Sequence, residues 1–261
     1  MRENKMNSNI SELINLYNAT SKHSNYQVMP SFISEIIPTK ELKIHSRYEK
    51  ERLQYILKNV DVKNKNFCDI GANSGFFSFE LINNGANHST IYEGNDVHAK
   101  FVEQAAQYIG MSDRFTVNNQ YYEFDNCESK YDMILLLNVL HHIGDDYGKA
   151  EDICEAKKSM IDSINKLSKV TRILVLQIGF NWKGNRNICL FEEGTKKEMI
   201  SWLEKGISDF WNIKMIGVAQ KNGNNIEYVD LNENNIERVD ELGEFLNRPL
   251  FILESKMNLK F

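Results

Sequence analysis

Hydrophobic positions along the chain fall into two regimes. Up to about residue 60 the pattern is helical and interrupted. Residues 10–17 carry a short apolar helix signal, followed by Pro30 and Pro38 in a stretch rich in Asn and Ser. After His45-Ser46-Arg47-Tyr48, the residues Leu53, Ile56, Leu57 and Val60 recur at the spacing of one helix face. Ser46, with Glu49 three residues on, has the form of a capping box and is expected to cap that helix. From Asn66 short apolar runs alternate with amphipathic ones. They predict strands at 67–70, 89–92, 114–118, 131–137 and 172–178, with helices at 76–83, 97–109, 149–167 and 196–208. Two late strands are predicted at 211–219 and 249–254, with an Asn/Glu-rich stretch and no long apolar helix between them.

Uniformly apolar strands alternating with helices indicate a parallel sheet covered on both faces. The expected fold is therefore α/β: a Rossmann-like, doubly wound, seven-stranded and mostly parallel sheet. An antiparallel hairpin forms its C-terminal edge, and a helical extension precedes it. In domain terms, residues 1–60 are expected as an extension or lid and residues 61–261 as one core domain. A chain of 261 residues is long enough for that core.

Composition narrows the function classes. At 42% hydrophobic and 26% charged residues the chain reads as an ordinary globular protein. The formal net charge of −5 gives no broad electrostatic footprint for nucleic acid, which is therefore not the expected partner. Cys68, Cys127, Cys154 and Cys189 are scattered, without a C-x-x-C pair or a His at ligand spacing. They are expected as free thiols, and no metal site is expected. The polar first ten residues do not resemble a signal peptide, and no apolar run approaches the roughly 18 residues of a membrane span. A cytoplasmic protein without membrane insertion is the expectation. Oligomeric state is not legible.

The candidate chemistry begins where the first strand ends. Asp69-Ile70-Gly71-Ala72-Asn73-Ser74-Gly75 lies directly before a helix. Glycines allow a sharp turn and close backbone approach to a ligand, and a helix N-terminus offers unpaired N–H groups. The second strand ends at Glu93, where a carboxylate is able to accept from both hydroxyls of a ribose. Asp69 read blandly caps the following helix, and Glu93 read blandly is a solvated strand-end charge.

Asp-x-Gly-x-Asn-x-Gly resembles the cofactor loop of class I S-adenosylmethionine-dependent methyltransferases, with Asn73 at the place of the middle glycine. Asn tolerates a left-handed backbone better than most side chains, so the loop survives the change. The resemblance implies S-adenosylmethionine as cofactor, S-adenosylhomocysteine as product, and a cofactor site of Asp69, Gly71, Asn73, Gly75 and Glu93. It further places Asn119 and Gln120 at the adenine. The run from Tyr131 through Asn138-Val139-Leu140-His141-His142 is similar to the fourth-strand motif of many small-molecule members, which adds Asn138. The likeness covers residues 64–180 well and the remainder in element order. Gly-x-Gly-x-x-Gly spacing is absent, which argues against a nicotinamide dehydrogenase.

The acceptor half is less legible. His141 or His142 is a candidate general base, since neutral imidazole takes a proton near neutral pH; the bland reading is that both shape the pocket. Adjacent residues on a helical turn point about 100° apart, so one of the two at most faces an acceptor. Arg47 and Tyr48 are candidate substrate contacts through resemblance to a helix that closes over the cofactor, or simply an exposed helix end. Asn/Asp-Pro-Pro-Tyr after the fourth strand and a Pro-Cys nucleophile are both absent. The pattern resembles enzymes acting on oxygens, and Asn247-Arg248-Pro249-Leu250-Phe251 faintly resembles methyltransferases of bacterial surface-carbohydrate pathways. The expectation is methyl transfer to an oxygen of a polar small molecule or sugar-linked group. A tRNA-modifying enzyme and a non-catalytic methyltransferase-like subunit are the alternatives.

Overall fold

The computed structural model describes residues 2–19, 26–37, 42, 44–126 and 129–259; Pro38 and Cys127 lie outside them. In chain order the helices are α1 (Arg2–Asn18), α2 (Ser31–Ser34), α3 (Glu49–Asn59), α4 (Phe76–Asn83), α5 (Asp96–Tyr108), α6 (Ile153–Leu167), α7 (Lys196–Ile207) and α8 (Gly243–Leu246). The strands are β1 (Asn66–Ile70), β2 (His88–Tyr92), β3 (Phe115–Asn118), β4 (Tyr131–Leu137), β5 (Thr171–Gln177), β6 (Trp211–Asn222), β7 (Asn225–Asp230) and β8 (Leu250–Ser255). They form two compact units, Met1–Glu49 with Val62–Tyr122, and Lys50–Asp61 with Glu123–Phe261.

The first unit is a parallel β3-β2-β1 sheet with helices α1, α4 and α5. Its core is aromatic: Phe67, Phe76, Phe79 and Phe101 are all buried, and Phe79 packs on Phe115 with ring centroids 4.7 Å apart. Asn95 caps α5 by accepting from the N–H groups of Val97 and His98, which offsets two of the helix's orphan donors. Leu13 and Tyr17 form the buried face of α1, and Tyr17 meets Phe101 of α5 at 6.0 Å. Met29, Ile33 and Ile37 are buried as well, so the chain before β1 contributes to this unit's core.

The second unit has strand order β4-β5-β8-β6-β7. β4 and β5 are parallel, whereas β8 runs antiparallel to both β5 and β6, and β6 and β7 form an antiparallel hairpin. The antiparallel C-terminal edge is thus present with one strand more than the seven predicted. β8 lies inside, and the rim is β7, whose only buried residue is Tyr228. Its alternation is confined to Ile226 and Tyr228 within an Asn/Glu-rich stretch, too short a signal to stand out in the pattern. Side chains cap the outer helices: Asp152 accepts from the N–H of Glu155 at the start of α6, and Thr195 from that of Glu198 at the start of α7. The predicted helix start near residue 149 moves to Ile153 because Asp152 is the cap.

Helix α3 belongs to the second unit from Lys50 onward. Leu53, Ile56 and Val60 are buried as predicted, but Leu57 is half-buried, and Arg52 and Tyr55 occupy the buried face instead. Tyr55 donates its hydroxyl to Asp230 at 2.8 Å. Ser46 does not cap this helix. It donates to Glu49 Oε2, while Glu49 accepts the N–H of Arg47, and Tyr48 breaks the helical path between them with φ of 58°. The Ser–Glu pair therefore closes a turn ahead of the helix. Among the described residues no helix is long and apolar enough to cross a membrane.

Candidate functional site

In the first unit, β1 ends in a loop whose backbone is left-handed at alternate positions: Gly71 at φ 73°, Asn73 at 54° and Gly75 at 77°. Gly75 is required twice over. Besides its positive φ, a Cβ there would stand 3.0 Å from Val102. Asn73 supports its own left-handed turn by accepting the N–H of Ser74 at 2.8 Å. Gly71 N–H goes to the carbonyl of Tyr92 at the end of β2, which ties the loop to the neighbouring strand.

Glu93, one residue past β2, is 8% exposed and so is no solvated charge. Its Oε2 accepts the N–H of Asn73 at 2.7 Å and its Oε1 that of Asn95 at 2.9 Å. The carboxylate thus joins the loop to the start of α5. Its Oε1 also lies 3.9 Å from Nδ1 of the buried His98 in α5. Asp69 lies deeper, 3% exposed, and accepts from Ser78 Oγ at 2.7 Å, which in turn accepts from Ser89. Burial raises its carboxyl to about 7; the Ser78 hydrogen bond works against the rise and the nearby Glu93 charge adds to it. Asp69 therefore braces α4 against β1 from below the loop, through a residue in the helix's first turn.

Asn119 and Gln120 follow β3 and are exposed; Asn119 donates to Asp96 at 3.0 Å. Tyr121 is the residue sequence reasoning missed. It is 53% exposed, and its ring lies against the backbone of Gly94, where any Cβ would overlap it. An aromatic face near Glu93, the carboxylate expected to meet a ribose, suits a base. The cue was the order aromatic after Asn-Gln, with a glycine after Glu93. Arg47 lies with its guanidinium 4.5 Å over the ring of Tyr26, and Tyr48 is 37% exposed.

In the second unit, β4 and β5 end level, Leu137 opposite Gln177, and antiparallel β8 starts opposite Gln177 with Leu250. Residues just beyond these ends therefore converge. Asn138, at φ 63°, donates Nδ2 to Gln177 Oε1 at 2.9 Å and accepts from Arg248 Nη1 at 2.7 Å. Gln177 is fully buried and also accepts from Arg52 Nη1 at 3.2 Å. Arg248 makes a two-pronged pair with Glu244 at 2.9 and 2.6 Å. Burial opposes the Glu244 charge, but the Arg248 guanidinium outweighs it and holds the carboxyl below its usual range. The pairing of these residues was not anticipated, because hydrogen-bonded partners in the network lie as far as 125 residues apart in the chain.

The two histidines part company. His141 is 2% exposed, and its Nδ1 accepts the N–H of Gly179 at 3.2 Å. Its Nε2 therefore carries the hydrogen of the neutral ring. His142 is only partly buried, with Nδ1 3.2 Å from Asp146 Oδ2. The turn is fixed by the N–H groups of Asp145 and Asp146 on the His142 carbonyl, and by Trp182 Nε1 on the carbonyl of Ile143 at 2.8 Å. Asp145 stands beside the pair, so that a ring nitrogen and two carboxylate oxygens lie within 4.8 Å of one another, a spacing exposed acidic groups often adopt without an ion. Cys68 is buried and Cys154 and Cys189 are exposed, all as free thiols.

No protein-family model matches the sequence. No curated protein matches it either. Solved structures do. A candidate RNA methyltransferase of Pyrococcus horikoshii, PH1948, superposes with a TM-score of 0.50 at 11% identity, over 95% of this chain and 98% of that one. The bifunctional kinase-methyltransferase WbdD superposes at 0.53 and 16% identity, over 95% of this chain but 46% of its own length. At these identities the likeness is one of fold. The chain has the fold of the class I S-adenosylmethionine-dependent methyltransferases.

Proposed function

We propose that this protein is an S-adenosylmethionine-dependent methyltransferase acting on an oxygen of a polar small molecule or sugar-linked group. One observation carries the cofactor half of the reading: Glu93, at the end of β2, receives the N–H of Asn73 in the left-handed loop after β1. That arrangement brings a carboxylate at a strand end to a glycine-type turn, and this pairing fits a nucleoside bearing an amino-acid tail. Gly71, Asn73 and Gly75 would bring backbone to the tail, Glu93 would accept from the ribose hydroxyls, and Asn119 and Gln120 would meet the adenine edge. Asp69 and Asn138 would act by holding their strand ends in shape. When bound, the cofactor supplies a methyl group activated by a sulfonium leaving group, so the protein's task is alignment and proton handling.

The acceptor half rests on His142. Asp146 Oδ2 lies 3.2 Å from Nδ1 of this imidazole; a neutral ring that turned its Nδ1–H onto that carboxylate would leave Nε2 to take the proton of an acceptor hydroxyl. His141, buried and with Nδ1 committed to Gly179, serves packing. Arg47 and Tyr48 are further candidates for the acceptor. The test is S-adenosylhomocysteine formation against nucleotide sugars, phosphorylated metabolites and undermodified tRNA. Turnover with the first two supports this reading. Turnover with tRNA alone favours the second reading, an RNA enzyme, for which the likeness to PH1948 speaks and the net charge of −5 does not. No product with any acceptor would favour a non-catalytic subunit.

A further inference from the structure

We infer that Gln27 is a positioning residue for the cofactor loop. Helix α4 has Gly75 at its N-cap, which has no side chain to accept from the helix's first N–H groups. The acceptor comes instead from far upstream. Gln27 Oε1 accepts from the N–H of Phe76 at 3.1 Å and from Ser74 Oγ at 3.1 Å, across 49 and 47 residues of chain. One amide oxygen thus bridges the last turn of the loop and the first residue of the helix.

Gln27 is itself held on both sides. Tyr17, 5% exposed, donates its hydroxyl to the Gln27 carbonyl at 2.6 Å. Four residues later, Ser31 donates both its N–H and its hydroxyl to Glu80 Oε1 on α4, each at 2.6 Å. Between these anchors Met29 is buried. The segment 26–37 is therefore bolted along α4, and the Gln27 side chain is delivered to the loop by that attachment. At the opposite side of the loop, Glu93 takes the N–H of Asn73. The left-handed stretch from Gly71 to Gly75 is pinned by a carboxylate from β2 on one side and by an amide oxygen from the N-terminal segment on the other.

Such a bridge acts on affinity through the fraction of molecules whose loop is already in the binding form, since apparent dissociation constants scale inversely with that fraction. Asn73 is the weak point, because a residue with a Cβ enters the left-handed region less readily than glycine. This inference rests on the loop being the cofactor loop.

The test uses the full chain, with S-adenosylhomocysteine as ligand in calorimetry and a thermal melt beside it. Gln27→Met keeps the side-chain length and removes the acceptor; Gln27→Glu keeps an acceptor oxygen. The expected result is a dissociation constant raised roughly five-fold or more in Q27M, with Q27E within about two-fold of the parent. If Q27M melts appreciably earlier, Ser74→Ala removes one of the two bonds with Gln27 left in place, and a smaller loss in the same direction is expected. Q27M or S74A with parental affinity overturns the inference, as does Q27E binding as weakly as Q27M. Parental protein that does not bind the ligand overturns the cofactor reading first and this inference with it.

Discussion

Replacing Glu93 by Gln probes the cofactor half with a change of one atom. The carboxylate is 8% exposed and accepts two backbone N–H groups, at 2.7 Å from Asn73 and 2.9 Å from Asn95. The amide keeps one acceptor oxygen and turns an NH2 group toward the other N–H. One charge-assisted hydrogen bond is lost, worth about 1.5–3 kcal/mol where solvent does not screen it. That cost falls on the protein without ligand and is read by chemical denaturation. Binding suffers additionally, because the ribose hydroxyls lose an ionised acceptor. At 1.4 kcal/mol per factor of ten, the loss of one such bond predicts at least ten-fold weaker S-adenosylhomocysteine binding in calorimetry. The two readouts separate the two roles. Reduced stability with parental affinity would leave Glu93 as a brace for the loop and remove it from the ribose. Parental stability together with parental affinity would refute both.

Three further outcomes are expected. His142→Ala should lower turnover by on the order of 100- to 10,000-fold with S-adenosylhomocysteine affinity unchanged, and Asp146→Asn should lower it less; turnover within a few-fold in both would reject the base and point to an acceptor already ionised. His141→Ala should instead lower unfolding free energy by roughly 1–3 kcal/mol, since it leaves the buried N–H of Gly179 without its acceptor; a variant as stable as the parent would contradict the packing role. Asp69 holds its proton to about 7 when folded, above the ordinary 3.8, so the stability linked to it is full below pH 4 and is lost as pH rises toward 7. Asp69→Asn should flatten that slope, by at most about 4 kcal/mol at 1.36 kcal/mol per pH unit, in denaturation series from pH 4 to 8; an unchanged slope would contradict the buried charge.

The parts legible in the sequence are those whose signal is local. β4 reads as Tyr131–Leu137 because six of its seven residues are apolar, Asp132 being the exception, and α4 is bounded by Gly75 and Gly85. The loop from Asp69 to Gly75 is readable because left-handed backbone restricts the residue at each alternate position, and Asn73 obeys that restriction at φ 54°. What stayed hidden depends on distance along the chain. Gln27 is one polar residue in a polar stretch, and its role follows only from contacts with Ser74 and Phe76. Arg52 stands on what looked like a plain apolar helix face, and its partner Gln177 lies 125 residues on. β7 escaped because an edge strand has little to bury. The histidines were separable only by burial, 2% exposure for His141 against a half-buried His142 beside Asp146.

The central claim is that the loop after β1 and Glu93 hold S-adenosylmethionine, and calorimetric titration of the purified full chain tests it most directly. The account predicts saturable binding of S-adenosylhomocysteine at one site per chain and no heat of binding with NAD under the same conditions. Binding of NAD without binding of S-adenosylhomocysteine would contradict it.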